Sequence, residues 1–372
     1  MLSSLGTART LNLDMELQPA SVYVKELRAG LPSKVFAPAH SRLWWIPVHL
    51  ALITTGILVL AAGVLPWIAV PLVSLVIGAS FAGLTFVGHE LLHGGIIRGH
   101  SRLRSVLGWI CFAPFNLSPR LWIAWHNRTH HAHTNDPVND PDMYPTRARY
   151  DEGGGAKFSI DNFAIGGGRW RGAFSLILGF IVQSKGVLFG GRARIGMSRG
   201  AYAGAIAETL LMLAMWTGLA FAIGGVAFIF AFVLPILIAD VVMMSFILTN
   251  HGLNPSTEVN DPLVNSMSIQ LPRWIEWLTL GFGYHVEHHL FPGISTRHGD
   301  LIRSAICERW PERYHTMPLL HALHSLHATG RVYKDEMTLS DPRSGGEWPA
   351  LAPRTERDYE LDDAMLKDDE DD

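Results

Sequence analysis

Two long apolar blocks, separated by a polar and cationic segment, organise the 372-residue chain. Residues 43–89 hold no Asp, Glu, Lys or Arg. A helix needs roughly 20 residues to cross a bilayer, so this block is long enough for two. Gly63 and Pro66 near its middle place a turn there. Residues 200–249 form a second block, interrupted only by Glu208 and Asp240, and Gly224–Gly225 divides it. The pattern predicts four spans, at about 43–65, 67–89, 201–223 and 226–248, paired into two hairpins. The expected fold class is an all-α integral membrane protein with four transmembrane helices and a helical cytoplasmic cap.

Charge orients these hairpins. Residues 98–199 carry 14 Lys and Arg against six Asp and Glu, whereas the turns near Val64 and Gly225 carry none. The positive-inside rule then places the central segment and both termini in the cytoplasm, in a bacterial inner membrane or the endoplasmic reticulum. Within that segment, residues 103–125 are apolar but broken by Pro114, Pro119 and Arg120, which reads as a re-entrant or interfacial piece. Residues 170–187 read as a second interfacial helix. The expected division is a cytoplasmic segment at 1–42, a membrane domain at 43–330 and an acidic, disordered tail at 331–372, ending "DDAMLKDDEDD". Only 17% of residues are charged and the net charge is −3, which speaks against a nucleic-acid partner. Cys111 and Cys307 form no metal-binding pair.

The chemistry lies in the histidines. Of 18, most cluster: His89 and His93 in "HELLH", His126, His130, His131 and His133 in "HNRTHHAH", and His285, His288 and His289 in "HVEHH". A lone His251 follows the fourth span. His89/His93, His126/His130 and His285/His289 are each four apart, a spacing that puts two side chains on one helix face. Under the topology above, the nine of these histidines other than His133 fall at one membrane boundary. His131 and His288 are offset by one position and extend the ring toward a second metal. His133 is off register. His40, His49, His100, His298, His315, His321, His324 and His327 show no such pattern and read as ordinary polar residues.

"HELLH" alone is also the signature of a zinc peptidase, with Glu90 as general base. That reading needs a further carboxylate ligand, Glu208 or Asp240, and leaves six histidines unexplained. A catalytic zinc takes about three protein ligands, so nine are too many. Nine nitrogens satisfy two metals of four or five protein ligands each, and a histidine-rich two-metal site suits oxygen activation on iron. A histidine-rich transporter is the alternative from another class. It would carry polar groups along its spans, and only Glu208 and Asp240 do so.

The set "HELLH", "HNRTHH" and "HVEHH", in that order around two apolar pairs, resembles the integral-membrane fatty acid desaturase and hydroxylase family. The resemblance covers roughly residues 40–330. It implies a non-haem di-iron centre held by His89, His93, His126, His130, His131, His285, His288 and His289. His251 stands where the family has a further ligand, and Asn250 resembles an asparagine that acts on a metal through water. The resemblance further implies molecular oxygen as co-substrate and two electrons from an external carrier such as ferredoxin or cytochrome b5. A fatty acyl chain carried on coenzyme A, acyl-carrier protein or a glycerolipid would pass the metals in a bent tunnel, with membrane lipids around the spans. No "HPGG" haem motif is present, and His285, not Gln, opens the third box. The implied activity is desaturation of a long acyl chain; the alternative is hydroxylation or ketolation of a lipid or carotenoid. Asp136, Asp140, Asp142 and Glu287 are the acidic residues nearest the boxes and candidates to orient them.

Overall fold

The computed structural model describes residues 16–99, 101–330 and 332–350. His100 and residues 351–372 of the acidic tail therefore lie outside the described residues. The chain is mostly helical. Five helices are long and apolar enough to cross a membrane: His40–Ala62, Trp67–His93, Trp170–Phe189, Arg199–Ile223 and Gly225–His251. Four coincide with the expected spans. The fifth, over the stretch read as interfacial, also has the length and composition of a span.

The Val70–His93 helix is the axis of the bundle. It packs against Trp45–Ala62, Arg102–Phe112 and Leu234–His251. From Ser80 to Leu92 every residue is buried. Small residues make that packing close. A Cβ on Gly78 would lie 2.8 Å from the Ile238 side chain and the Pro235 carbonyl. One on Gly88 would lie 2.7 Å from Cys111 Cβ. Lipid is as apolar as leucine, so helices in a bilayer associate through such close approach and not through a hydrophobic drive. The outer faces stay apolar and exposed, as at Leu72, Leu210 and Phe221.

Residues 102–122, over most of the stretch expected to be re-entrant or interfacial, fold back on themselves. The Arg102–Phe112 helix runs antiparallel to the Val70–His93 helix, with Gly108 against Leu92 and Gly88 against Cys111. The chain turns at Asn116, in the left-handed region at φ 49°, and returns through Pro119–Trp122 to the histidines. A turn among apolar helices leaves carbonyls without water. Lys185 Nζ donates to two of them, Phe115 O at 3.0 Å and Asn116 O at 2.8 Å. Glu208 accepts from Ser118 Oγ and from Arg120 Nε, which closes the same corner.

Two small sheets qualify the all-α expectation. Ser268–Gln270 pairs in parallel with Thr316–Pro318. Val332–Asp335, Thr338–Asp341 and Gly346–Pro349 form an antiparallel sheet, inside the stretch expected to be disordered. Acidic composition hid two short buried stripes there, at Val332–Tyr333 and Leu339–Asp341. Tyr333 N donates to Pro145 O at 3.0 Å, and its hydroxyl to Asn254 O. The sheet is thus fastened to loops beside the second and fourth histidine groups. At the other end of the chain, Ala20–Gly30 packs on the third box through Tyr23 and Leu27. Buried Asp261 fixes the corner, accepting from Gln18 N at 2.8 Å and from Arg313.

Candidate metal centre

His89 and His93 occupy the last turn of the Val70–His93 helix. The helix stops immediately after them because Gly94 takes φ 94°, and its N–H bonds back to the Leu91 carbonyl at 3.0 Å. His251 is likewise the final residue of Leu234–His251. The third box is a six-residue helix, His285–Leu290. Ser268 Oγ accepts the N–H groups of His285 and Val286 at 3.1 and 3.0 Å, capping it from outside.

The second box departs from expectation. Residues Ile123–Thr129 form a π-helical turn, followed by a tight turn at His130–Ala132. Hydrogen bonds in a π-helix run from i to i+5, so residues five apart meet. His126 accordingly faces His131, Nε2 to Nε2 at 3.3 Å. His130 turns to another group. His126 and His130 nevertheless stack at 5.0 Å, and their ligand nitrogens lie within 4.8 Å of each other together with an oxygen of Asp142.

The imidazoles sort into two sets. Ligand nitrogens of His89, His93, His126 and His288 lie within 4.8 Å of one another, and so do those of His130, His251 and His289. His131 joins the first set, 3.3 Å from His126 and 3.2 Å from His288. His285 joins the second, 2.7 Å from His251 and 3.0 Å from His289. The sets thus hold five and four. Two nitrogens each about 2.1 Å from one metal, at right angles, stand about 3.0 Å apart. Those contacts match that separation, and buried His93 Nε2 has no hydrogen-bond partner. The donor set therefore fits two metal ions.

In the second set, ring orientation is fixed from behind. His130 Nδ1 meets both oxygens of Asp140, at 3.0 and 3.1 Å. His289 Nδ1 lies 3.2 Å from Thr134 Oγ1, whose hydroxyl donates to His130 O. His251 Nδ1 faces the Asn265 carbonyl at 3.4 Å. Each bond leaves Nε2 for the centre. The first set is packed more than bonded. Trp122 stacks on His126 at 4.6 Å and meets His89 and His93 edge-on. His131 Nδ1 is buried without a hydrogen bond. Burial, followed by repulsion from neighbouring imidazoles, holds His126, His131, His285 and His289 well below the usual histidine range, hence neutral and able to ligate. Burial also opposes charge on His130, but Asp140 outweighs it and pushes that ring up to about 9.

The other candidates take structural places. Asp142 accepts from Trp125 Nε1 and from Gln183 Nε2 at 2.7 Å, with its other oxygen 3.6 Å from His130 Nδ1. Asp136 caps its own turn through Val138 N and Asn139 N. His133 lies beside Asp136, with its side chain exposed and in neither set. Glu287 accepts from Ser268 and Arg303 and from Tyr314 OH, not from a histidine. Asn250 is fully buried with both amide atoms unpartnered. Glu90 is ion-paired to Arg42, which also bonds Leu280 O and Thr296 Oγ1 at 2.7 and 2.8 Å. It ties box one to loops flanking box three and is no free base. Asp240 accepts the N–H groups of Phe180 and Ile181 at 3.0 and 2.9 Å. Glu208 and Asp240 are thus both engaged away from the histidines, which removes the peptidase reading. Arg42, Trp122, Gln183 and Thr134 are contributors that sequence reasoning passed over. Only the break in apolarity at Arg42 and Gln183 signalled any of them.

A cavity of about 600 Å³ runs along the Ala173–Phe189 and Leu234–His251 helices and ends at Asp142, Gln183, Ile247 and His251. These same four residues border a smaller pocket of about 40 Å³ beneath His89, His126, His130 and His285, floored by Thr85, Phe112, Met243 and Phe282. An apolar passage with few polar groups converging on its end is the usual form of a small-molecule site.

The family described as fatty acid desaturase matches residues 65–320, more than half of the chain. The chain is 22% identical over 316 residues to the sn-1 oleoyl-lipid 12-desaturase of Anabaena variabilis, covering 81% of this chain and 86% of that one. It is 24% identical over 301 residues to the enzyme of the same name from Synechocystis, covering 78% and 83%. A sn-1 acyl-lipid omega-3 desaturase (ferredoxin) from Synechocystis is 32% identical over 123 residues, a third of each chain. With the matched stretch containing all three boxes and His251, the chain belongs to the fatty acid desaturase family.

Proposed function

We propose that this desaturase introduces a double bond into a long acyl chain of a membrane lipid, at two iron ions held by the two histidine sets. The carrying observation is that the apolar cavity ends on His251 and Gln183 and continues beneath His89, His126, His130 and His285. An extended chain threaded along Met244, Ile247 and Leu248 passes the centre sideways, presenting methylene hydrogens to it. Bound iron supplies the oxygen-dependent removal of hydrogen that no amino-acid side chain can perform. The first set (His89, His93, His126, His131, His288) would hold one ion and the second (His130, His251, His285, His289) the other. Buried Asn250, whose side-chain amide has no hydrogen-bond partner, would act through water. Asp140 and Thr134 keep imidazole Nε2 directed inward. Trp122, Phe112 and Phe282 keep the pocket apolar and exclude bulk water.

Reduction of oxygen needs two electrons besides those from the substrate, so a separate carrier of the ferredoxin or cytochrome b5 kind completes the cycle; the ferredoxin relative supports this class of donor. The nine imidazoles also bear on topology. If all five apolar helices crossed, boxes two and three would be separated by three spans and lie on opposite faces. Their contact supports four crossings, with Trp170–Phe189 held on one side. The start of that helix is bonded to Thr329 O and His327 O through Gly167 and Gly168, and its end to Tyr202 beside the next span. The cationic 98–199 segment supports a cytoplasmic placement of this layer and both termini.

The test is expression in a host with simple lipids, followed by mass spectrometry of fatty acid methyl esters. The expected product is a new alkene that requires oxygen and reductant. A hydroxylated or keto product would place the protein among the sister activities. Reporters fused at residues 145 and 350 should both read cytoplasmic.

A further inference from the structure

We propose that the acyl chain reaches the histidines sideways out of the lipid, through an opening between the Gly154–Phe163 and Ala173–Phe189 helices, while the rest of a glycerolipid stays in the bilayer. This rests on the desaturase reading for its substrate, an acyl chain of a membrane lipid, and adds the route.

Three observations carry it. First, the members of the 600 Å³ cavity wall that are exposed include Phe163 (43%), Leu178 (36%) and Val182 (62%). The cavity therefore opens where these side chains stand. Second, Leu178 and Val182 are one turn apart on a helix apolar enough to lie in a membrane and little buried within the protein. Its uncovered face is suited to hydrocarbon, so the opening gives onto lipid and not onto water. Third, the rim has the make-up of a bilayer interface. Trp170 is 73% exposed and packs on Phe174, which also meets Phe163 edge-on. Arg169 and Arg171 flank Trp170, and each uses one guanidinium nitrogen to hold the neighbouring helix, at Asp161 O and Asn162 Oδ1. Tryptophan and arginine at one level mark the headgroup boundary.

The energetics then choose the occupant. A lipid acyl chain already sits in hydrocarbon. Sliding it past Leu178 and Val182 into an apolar cavity exchanges one apolar surrounding for another and desolvates no charge. A water-borne acyl thioester on a charged carrier would have to bring its carrier to the same apolar mouth, with a desolvation cost and no buried partner there.

The experiment uses the full chain in nanodiscs containing phosphatidylglycerol with a photoreactive diazirine in one acyl chain. After illumination, labelled peptides are mapped by mass spectrometry. The expected result is labelling of 159–182 together with Ile247 or Leu248, and loss of the Ile247–Leu248 label in Val182→Trp but not in Val182→Leu. Leu178→Trp should act alike, and iron content should match the parent in each variant. Even labelling of all lipid-facing helices, Arg199–Ile223 included, would overturn the proposal. So would an Ile247–Leu248 label that persists in both tryptophan variants, or one delivered by a diazirine-bearing acyl-coenzyme A added to nanodiscs of unlabelled lipid but not by the diazirine lipid. Because labelling is read without turnover, a seated lipid with no alkene product leaves the lateral route standing and removes the desaturase reading.

Discussion

The two histidine sets solve the same problem by different means. Three of the four rings of the second are aimed by hydrogen bonds at Nδ1: Asp140 behind His130, Thr134 behind His289 and the Asn265 carbonyl behind His251. The five of the first are aimed mostly by packing, with Trp122 and Phe282 against His89 and His126 stacked on Trp122. A hydrogen bond fixes a ring's rotation and raises its basicity. Aromatic packing fixes its position and leaves its electronics largely alone. The second set should therefore be the tighter metal site, and the first the one that adapts as substrate and oxygen arrive.

The largest effects come from removing a ligand. His93→Ala and His289→Ala should each abolish desaturation, read by fatty acid methyl ester analysis. Each should lower iron by about half, because the other set remains intact, and they should differ in which of the two ions is lost. Membrane insertion should persist in both, since the spans satisfy their own backbone. Equal and complete iron loss in both variants would erase the distinction between the sets.

Asp140→Asn should come next. It keeps the shape but withdraws the charge that holds His130, and loss of such a partner typically costs roughly 10–100-fold in metal affinity or activity. The iron lost to a chelator should be that of the second set. The signature is a change in one of two release phases, with the other unmoved.

The sequence made much of this visible, and its limits are physical. Box one was legible because HELLH lies on an ordinary α-helix, where i and i+4 share a face, and Gly94 marks the stop. His285 and His289 obeyed the same rule. Box two was legible only in part: His126 and His130 stay close, but a π-helical turn also brings His131 onto His126, and no residue type announces such a turn. The two apolar blocks gave four helices readily. The Ala173–Phe189 helix was legible as apolar, but not that its Gln183 and Lys185 reach inward, to Asp142 and to the carbonyls of the turn at Asn116. Residues 332–349 were hidden by acidic neighbours. Arg42, Glu90 and Thr296 are brought together from three distant stretches, and pairing across such separations leaves no trace in a single sequence.

Trp122→Leu sharpens the comparison from the other side. The smaller side chain leaves His126, His89 and His93 less confined, with no hydrogen bond removed. Release of iron from the first set to a chelator should accelerate severalfold, while the second phase keeps its rate. A change confined to the second phase would show that packing around Trp122 serves a different end.

The smallest effect tests whether a neutral bond suffices to orient a ligand. Thr134→Val keeps the volume and removes the hydroxyl that links His289 Nδ1 to the His130 carbonyl. A net hydrogen bond contributes about 0.5–1.5 kcal/mol, which corresponds to about a 2- to 12-fold weakening of the second site. That is below the effect of Asp140→Asn, because hydrogen bonds to charged groups are worth roughly twice as much. Thr134→Ser restores the hydroxyl and should recover most of the loss, which separates an orienting role from mere packing at this buried position. If Val and Ser weaken iron binding equally, the hydroxyl is not what holds His289, and the ring is aimed by its stacking on His131 at 4.3 Å instead.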